Sequence, residues 1–323
     1  MELRREALAA GDNNPWRMPK VLLVESLSEA AEGRLAAAAD VLRAPDDKPQ
    51  TLQRLIVDCD ALIARTHTRV SREILAAGRR LRVVGIAGVG LDHVDVQAAR
   101  ELGIAVLNTP GAATDAVADF TLALILQLLR PVARLADEYR AGRFREARAT
   151  PHGRELCELT VGIVGMGRIG SAVGRRCAAG FGARVLYNDI VPVGPFDFPC
   201  AAVDKPTLWA ESDIVTLHVP LTDQTRRLVD SAVLEGFKRG ACLINTARGA
   251  VVDTEALVAA LRSGRLAGAA CDVLDPEPLP PGHPLLACPN CIVTPHVAAR
   301  THRGWERMCA VVDDVLAYLA RCP

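Results

Sequence analysis

From Lys20 onward, short apolar runs alternate with segments of helical period. Val21–Val24, Ala61–Ala64, Val83–Ile86 and Ala105–Leu107 predict strands; Ser28–Ala39, Thr51–Cys59, Ser71–Ala77 and Val94–Leu102 predict the helices between them. Alternation at such short intervals reads as βαβ units on a parallel sheet. A long apolar helix follows from Thr114 to about Arg140, broken or bent where Pro131 interrupts it. A second series predicts strands near 161–164, 184–187, 213–217, 241–244, 268–271 and 291–293, with helices near 168–180, 204–210, 231–236 and 253–262. That is a six-stranded doubly wound pattern. The last segment, Thr301 to Ala320, is amphipathic and too short to be a domain, so it should pack back on the first half. The pattern predicts an α/β chain of two doubly wound parallel-sheet domains. Residues 1–112, completed by 299–323, form the first; residues 113–298 form the second, inserted between two crossings.

Composition narrows the class. The 323 residues carry 38 basic and 38 acidic side chains, so no basic face is implied and neither nucleic acid nor an anionic membrane is expected as a partner. Half the residues are hydrophobic and few are aromatic, as suits buried parallel strands. The longest apolar run, Phe120 to Leu129, contains Gln127 and ends at Arg130-Pro131, short of a membrane span. Met1 to Pro19 has no apolar core of a secretory signal, and Gly11 to Pro15 reads as a loose extension, which together predict a cytoplasmic protein. Of the ten cysteines, Cys177, Cys242 and Cys271 lie in apolar patterns, and the Cys288–Cys291 pair has no second pair or histidine cluster at zinc spacing. No metal is expected.

Chemistry enters at Val161-Gly162-Ile163-Val164-Gly165-Met166-Gly167-Arg168-Ile169-Gly170, followed nineteen residues later by Asp189. A strand-like run feeds three glycines spaced G-x-G-x-x-G, and a helical pattern starts inside the motif. Gly165 permits the tight turn, Gly167 lets backbone approach a pyrophosphate, and Gly170 lets helix and strand pack closely. The helix N-terminus offers N–H groups to the phosphates. Asp189 ends the next apolar run, where its carboxylate would bond ribose hydroxyls and repel a 2′-phosphate, which points to NAD. About 160 residues precede the motif, so the nucleotide domain is joined to something else.

Further polar groups sit at the ends of three predicted strands, where ligands of open α/β sheets bind. Arg248 follows Leu243-Ile244-Asn245-Thr246-Ala247; Asp272 and Glu277 follow Ala269-Ala270-Cys271; His296 follows Ile292-Val293-Thr294-Pro295. At these residues the chain resembles the D-isomer-specific 2-hydroxyacid dehydrogenases, from about Val21 to Ala320, with the motifs in order and at compatible spacing. The details look closest to glyoxylate/hydroxypyruvate reductases, with phosphoglycerate dehydrogenases next. The resemblance implies a Rossmann NAD-binding domain inserted into a flavodoxin-like substrate domain, working around a closing cleft. It implies that Arg248, Glu277 and His296 are the catalytic three. It also implies that Arg168 and Ile169 flank the pyrophosphate, that Val219 and Pro220 line the adenine or ribose side, and that Thr246 and Ala247 border the nicotinamide. Asp272 would hold the nicotinamide carboxamide, and Ala298 and Ala299 would border the same ring. Ala87-Gly88-Val89-Gly90 looks like the family's substrate-carboxylate loop, with Arg65 on the pocket wall.

Those residue types suit the interconversion of a 2-oxo acid and a D-2-hydroxy acid. Hydride goes to C2 and a proton to the carbonyl oxygen; imidazole titrates near working pH, and a neighbouring carboxylate favours its charged form and orients it. Arg248 offers a permanently charged fork to the substrate carboxylate or carbonyl oxygen. Two departures stand out. Ile86 occupies a position where phosphoglycerate dehydrogenases often carry Arg, though Arg65 could compensate, and Arg300 stands where small polar residues are usual. The rival reading is a NAD(H)-responsive binding protein of the same fold, such as a corepressor, or a relative acting on an unusual acid. The apolar helix from Thr114 exceeds what one domain's flank needs to bury, which predicts a homodimer through it.

Overall fold

The structure, a computed structural model, describes residues 17–321; the extension at Gly11 to Pro15 lies outside them. The chain divides into two compact units, one running to Ala113 and resuming at Arg300, the other Thr114–Ala299.

The first unit runs β1 (Lys20–Leu23), α1 (Glu29–Ala38), β2 (Asp40–Arg43), α2 (Pro49–Leu55), β3 (Ala61–Ala64), α3 (Arg72–Ala77), β4 (Val83–Ile86), α4 (Val96–Glu101) and β5 (Ala105–Asn108). All pairings are parallel, in the order β2-β1-β3-β4-β5. Successive side chains serve opposite faces. Leu22, Leu62, Val84 and Ile86 fill one core layer, and Val21, Leu23, Ile63 and Val83 fill the other. Both faces are buried, so these strands read as continuous apolar runs. Helix starts follow local chemistry: Ser28 Oγ accepts the Ala31 N–H and Asp95 the Ala98 N–H, while Pro49 opens α2.

The second unit begins with α5 (Thr114–Leu129), α6 (Val132–Arg140) and α7 (Phe144–Arg148). It continues with β6 (Thr160–Val164), α8 (Arg168–Arg175), β7 (Arg184–Asn188), β8 (Ala201–Ala202), α9 (Lys205–Glu211), β9 (Ile214–Leu217), α10 (Ser231–Gly236), β10 (Ala241–Asn245), α11 (Thr254–Arg262), β11 (Leu266–Cys271) and β12 (Cys291–Val293). Its sheet has seven parallel strands in the order β12-β11-β10-β9-β6-β7-β8, so the winding direction reverses between β6 and β9. This is the Rossmann arrangement, inserted into a flavodoxin-like one. The chain then completes the first unit with α12 (His302–Cys309) and α13 (Val311–Arg321). Gly85 makes that docking close: a Cβ there would lie 2.5 Å from Val315 Cγ2.

Three expectations change. The strands β2 and β8 were not anticipated, because Asp40-Val41-Leu42-Arg43 is polar at both ends and Ala201-Ala202 is too short to make an apolar run; both are sheet edges. The second sheet therefore has seven strands, not six. The apolar stretch from Thr114 to Arg140 is broken at Pro131, as expected, into two helices meeting at a 55° bend. Its first part buries Val117, Ala118, Thr121, Leu122, Leu124 and Ile125, and most of these join a core layer with Val161, Ile163 and Ile244 of its own unit. Burying the valine, leucine and isoleucine side chains among them stabilises by roughly 1.5–3 kcal/mol each. The apolar surface that suggested a dimer interface is thus covered within one subunit. Among the described residues no single helix is long and apolar enough to cross a membrane.

Candidate active site

The glycine motif takes the form its spacing requires. Gly165 has φ +88°, a left-handed conformation, and a Cβ there would lie 2.5 Å from the His218 carbonyl oxygen. A Cβ on Gly170 would lie 2.0 Å from the Gly165 oxygen, so α8 rests directly on the turn; at Gly167 nothing stands within 4 Å, and the backbone faces open space. Arg168 and Ile169 open α8. Asp189, after β7, accepts the Met166 N–H at 2.7 Å and the Val191 N–H at 3.3 Å, which places its carboxylate beside the glycine turn. Val219 flanks the same turn, its Cγ1 2.9 Å from a Cβ at Gly165, and Pro220 offers its carbonyl to Thr225 Oγ1 at 2.6 Å. These residues meet where the strand order reverses, the place where open α/β sheets hold ligands. His218, beside them, is neutral: burial pushes its imidazole down to about 3.

The strand-end residues converge on a second cluster. Asn245, buried at the end of β10, accepts the Ala247 N–H at 3.0 Å and donates to the Arg248 carbonyl at 2.9 Å, folding 245–248 into a fixed loop. Thr246 Oγ1 lies 3.1 Å from Thr121 Oγ1 of α5, and Arg248 Nη1 donates to the Ala247 carbonyl at 2.7 Å. At Gly249 a Cβ would lie 1.9 Å from the Leu274 carbonyl carbon. The Arg248 loop therefore touches the 272–277 loop backbone to backbone, where Leu274 N–H donates to Glu277 Oε2 at 3.2 Å. Glu277 Oε1 is 2.7 Å from His296 Nδ1. This carboxylate holds the ring through Nδ1.

His296 is held in an uncommon backbone state, φ +52°. The cause is Asp272, 1% exposed, whose oxygens accept Thr294 Oγ1 at 2.6 Å, the Val297 N–H at 3.0 Å and the Ala298 N–H at 2.8 Å, while its carbonyl accepts the His296 N–H at 2.8 Å. Asp272, which the resemblance assigns to the nicotinamide carboxamide, thus accepts three donors of its own chain and shapes the turn that carries His296. Ala298 is buried on that turn and Ala299 is half-buried. Sequence reasoning missed Asn245, Gly249 and Thr294. A buried polar residue at a strand end and a glycine after a strand-end arginine were the available signals.

In the first unit, Ala87 donates to the Ala64 carbonyl at 2.9 Å and Gly88 to the Ile86 carbonyl at 2.8 Å, while the Gly88 and Val89 carbonyls accept from Thr109 N–H and Asn108 Nδ2. Among the described residues the N–H groups of Val89 and Gly90 have no backbone partner, as an anion-binding turn requires. Arg65, directly after β3, neighbours this turn: Thr66 Cγ2 would lie 2.8 Å from a Cβ on Gly88. Arg65 and the 87–90 turn belong to one unit, and Arg248, Glu277 and His296 to the other.

A parallel sheet whose reversal point carries a glycine turn, with a His–Glu pair and an arginine on adjoining strand ends, defines a nicotinamide-nucleotide oxidoreductase. Residues 122–298 match the model of the D-isomer specific 2-hydroxyacid dehydrogenase NAD binding domain. The chain is 41% identical over 283 residues to a glyoxylate reductase of Korarchaeum cryptofilum, covering 86% of this chain and 84% of that one. Among solved structures, a D-lactate dehydrogenase of Aquifex aeolicus complexed with NAD and lactic acid superposes with TM-score 0.83 at 29% identity, over 93% of this chain and 95% of that one. An NADPH-dependent glyoxylate/hydroxypyruvate reductase of Sinorhizobium meliloti, in complex with NADP and malonate, gives 0.85 at 31% identity, over 94% of each chain. The chain belongs to the D-isomer-specific 2-hydroxyacid dehydrogenases. It is an enzyme, and NAD is its cofactor. The residues fit that group: the open backbone at Gly167, the first turn of α8 and the carboxylate of Asp189 are the donor and acceptor set a dinucleotide needs.

Proposed function

We propose that this enzyme reduces small 2-oxo acids of the glyoxylate and hydroxypyruvate type to D-2-hydroxy acids, with NADH preferred over NADPH. The observation that carries the reading is the 2.7 Å contact of His296 Nδ1 with Glu277, joined through Leu274 to the loop bearing Arg248. The bound cofactor's chemistry is hydride donation to C2 of the substrate. His296, as imidazolium, gives its Nε2 proton to the carbonyl oxygen, and Glu277 stabilises that charged form before the transfer. Arg248 holds the substrate's carboxylate or carbonyl oxygen and stays charged throughout. The N–H groups of Val89 and Gly90 add donors to the anion without adding charge. Asp189 favours NADH because a carboxylate at the adenosine ribose repels a 2′-phosphate.

The test is an absorbance screen of 2-oxo acids with NADH and with NADPH, using wild type and His296→Ala. Turnover with NADH should fall by roughly 10²–10⁴-fold in the variant, while NADH binding followed by fluorescence persists. No turnover of any 2-oxo acid, or a wild-type preference for NADPH, would refute the corresponding part. Self-association is proposed through α6 and α7, where Val132, Tyr139 and Phe144 are 64%, 66% and 50% exposed and Tyr139 packs edge-on against Phe144. Tyr139→Asp should then lower the mass found by sedimentation; an unchanged mass would remove this face.

A further inference from the structure

The strand order of the first sheet reverses between β1 and β3, so its own ligand-binding crevice lies beyond their carboxyl ends. Glu25 follows β1 there and Arg65 follows β3. The guanidinium of Arg65 lies over Trp305 of α12, 4.3 Å from the ring centroid, and that of Arg300 lies over the same residue at 5.5 Å. Two cations thus share one indole.

Among the described residues neither guanidinium has a hydrogen bond or an ion pair with a carboxylate side chain. The nearby carboxylates are engaged elsewhere: Glu25 takes the Arg65 main-chain N–H and Thr68 Oγ1, and Glu306 takes Ser28 Oγ at 2.8 Å. Burial, and then the charge of Arg300, push Arg65 below the ordinary arginine range. A half-buried cation stacked on a ring beside another cation, with no carboxylate bonded to it among the described residues, is kept at a cost that an incoming anion would relieve.

We propose that Arg65 and Arg300, carried on Trp305, form a subsite for a second negative group on the substrate, so that the enzyme selects 2-oxo acids bearing a distal carboxylate or phosphate. This rests on the reduction of 2-oxo acids proposed above. The Val89–Gly90 turn beside Arg65 takes the C1 carboxylate, and the arginine pair takes the far end. Arg300 is then a specificity-determining residue, and Trp305 a positioning residue that holds both guanidiniums in one plane of approach.

The experiment compares substrates matched in length and differing in distal charge: 2-oxoglutarate against 2-oxopentanoate, and 3-phosphohydroxypyruvate against hydroxypyruvate, each with NADH. For wild type, kcat/KM should favour at least one dianion over its partner by about tenfold or more, as one charge-assisted contact supplies. Arg300→Ala should collapse that ratio towards one through KM, Arg300→Lys should restore part of it, and Trp305→Leu should lower it. A wild type that turns over monoanions without favouring either dianion overturns the subsite and leaves the reductase reading standing. So does a dianion preference that Arg300→Ala leaves unmoved. Absence of turnover with every 2-oxo acid overturns the reductase reading itself.

Discussion

In the first sheet Asp60, the residue before β3, accepts the Lys20 N–H at 2.8 Å and donates its own N–H to the Lys20 carbonyl at 2.7 Å. In the second, Asp213, the residue before β9, does the same with Thr160 at 3.0 and 2.9 Å. Each aspartate carbonyl then accepts an N–H at the start of a neighbouring strand, from Arg82 just before β4 or Cys242 in β10, at 2.9 Å. Each carboxylate also gathers cations: Arg17, Arg80 and Arg82 at Asp60, Lys238 and Arg154 at Asp213. The amino edges of both sheets thus carry one device, a buried acid tying two neighbouring strands. The carboxyl edges share nothing of the kind. After β6 comes a glycine turn, after β1 a glutamate that bonds the chain following β3. The same scaffold is fastened at one edge and varied at the other, and the varied edge is the one at which open α/β sheets hold ligands.

The largest effect should come from breaking the varied edge where it cannot give. At Gly249 a Cβ would stand 1.9 Å from backbone, whereas at Gly88 it would meet a threonine methyl at 2.8 Å. Gly249→Ala must part the Arg248 and Glu277 loops, and kcat should fall by about 100-fold, the usual consequence of misplacing catalytic groups by an ångström. Gly88→Ala can be absorbed by the Thr66 side chain, and the loss should stay within about tenfold, mostly in KM. Equal losses in steady-state kinetics would erase the distinction between a rigid edge and a yielding one.

How much of this was legible in sequence follows from the same contrast. The glycine turn and Asp189 lie within one βαβ unit, so spacing along the chain reports spacing in the fold. Arg248, Glu277 and His296 were visible as polar residues closing apolar runs. The paired aspartates were not, because each is one acid whose partner strand starts 40 or 53 residues away. The hold of Asp272 on the His296 turn was hidden for a related reason: its oxygens serve Thr294, Val297 and Ala298, and only the pairing of β11 with β12 brings that turn to it. Arg300 looked like an irregular charge until α12 presented Trp305 to it. Of the edge strands, β5 and β12 were legible as apolar runs, whereas β2 escaped because Asp40 and Arg43 close it with charge and β8 because two alanines make no run.

The amino-edge devices should differ in strength. Asp60 is 4% exposed among three guanidiniums, and Asp60→Ala should cost about 2–4 kcal/mol, since it strands partly buried cations and the Lys20 N–H together. Asp213→Ala should cost about 1–3 kcal/mol, because Arg154 and Lys238 are about half exposed and rehydrate more readily. Hydrogen exchange reads each separately. Asp60→Ala should speed opening of β1 and β3 amides and leave β6 and β9 close to wild type, with the reverse for Asp213→Ala. Uniform acceleration in both sheets would show that the two devices do not act locally.

The smallest effect is one of pH, and it belongs to the second sheet. Burial alone would raise the Asp213 carboxyl, but the Lys238 ammonium, the Thr160 N–H and Arg154 outweigh it and hold it below the ordinary aspartate range. The folded state therefore binds this proton less readily than the unfolded chain. The stabilisation is complete above the unfolded value of about 4 and is lost as pH falls through the lower folded one. Asp213→Asn has no such proton to bind, so its stability should fall less steeply than wild type below about pH 4. His218 in the same unit, pushed down to about 3 by burial, already favours unfolding as pH drops below its unfolded value of about 6.5. The readout is therefore the difference between wild type and variant in urea unfolding at matched pH. Parallel curves down to about pH 3 would mean that the Asp213 device works through geometry alone, without its charge.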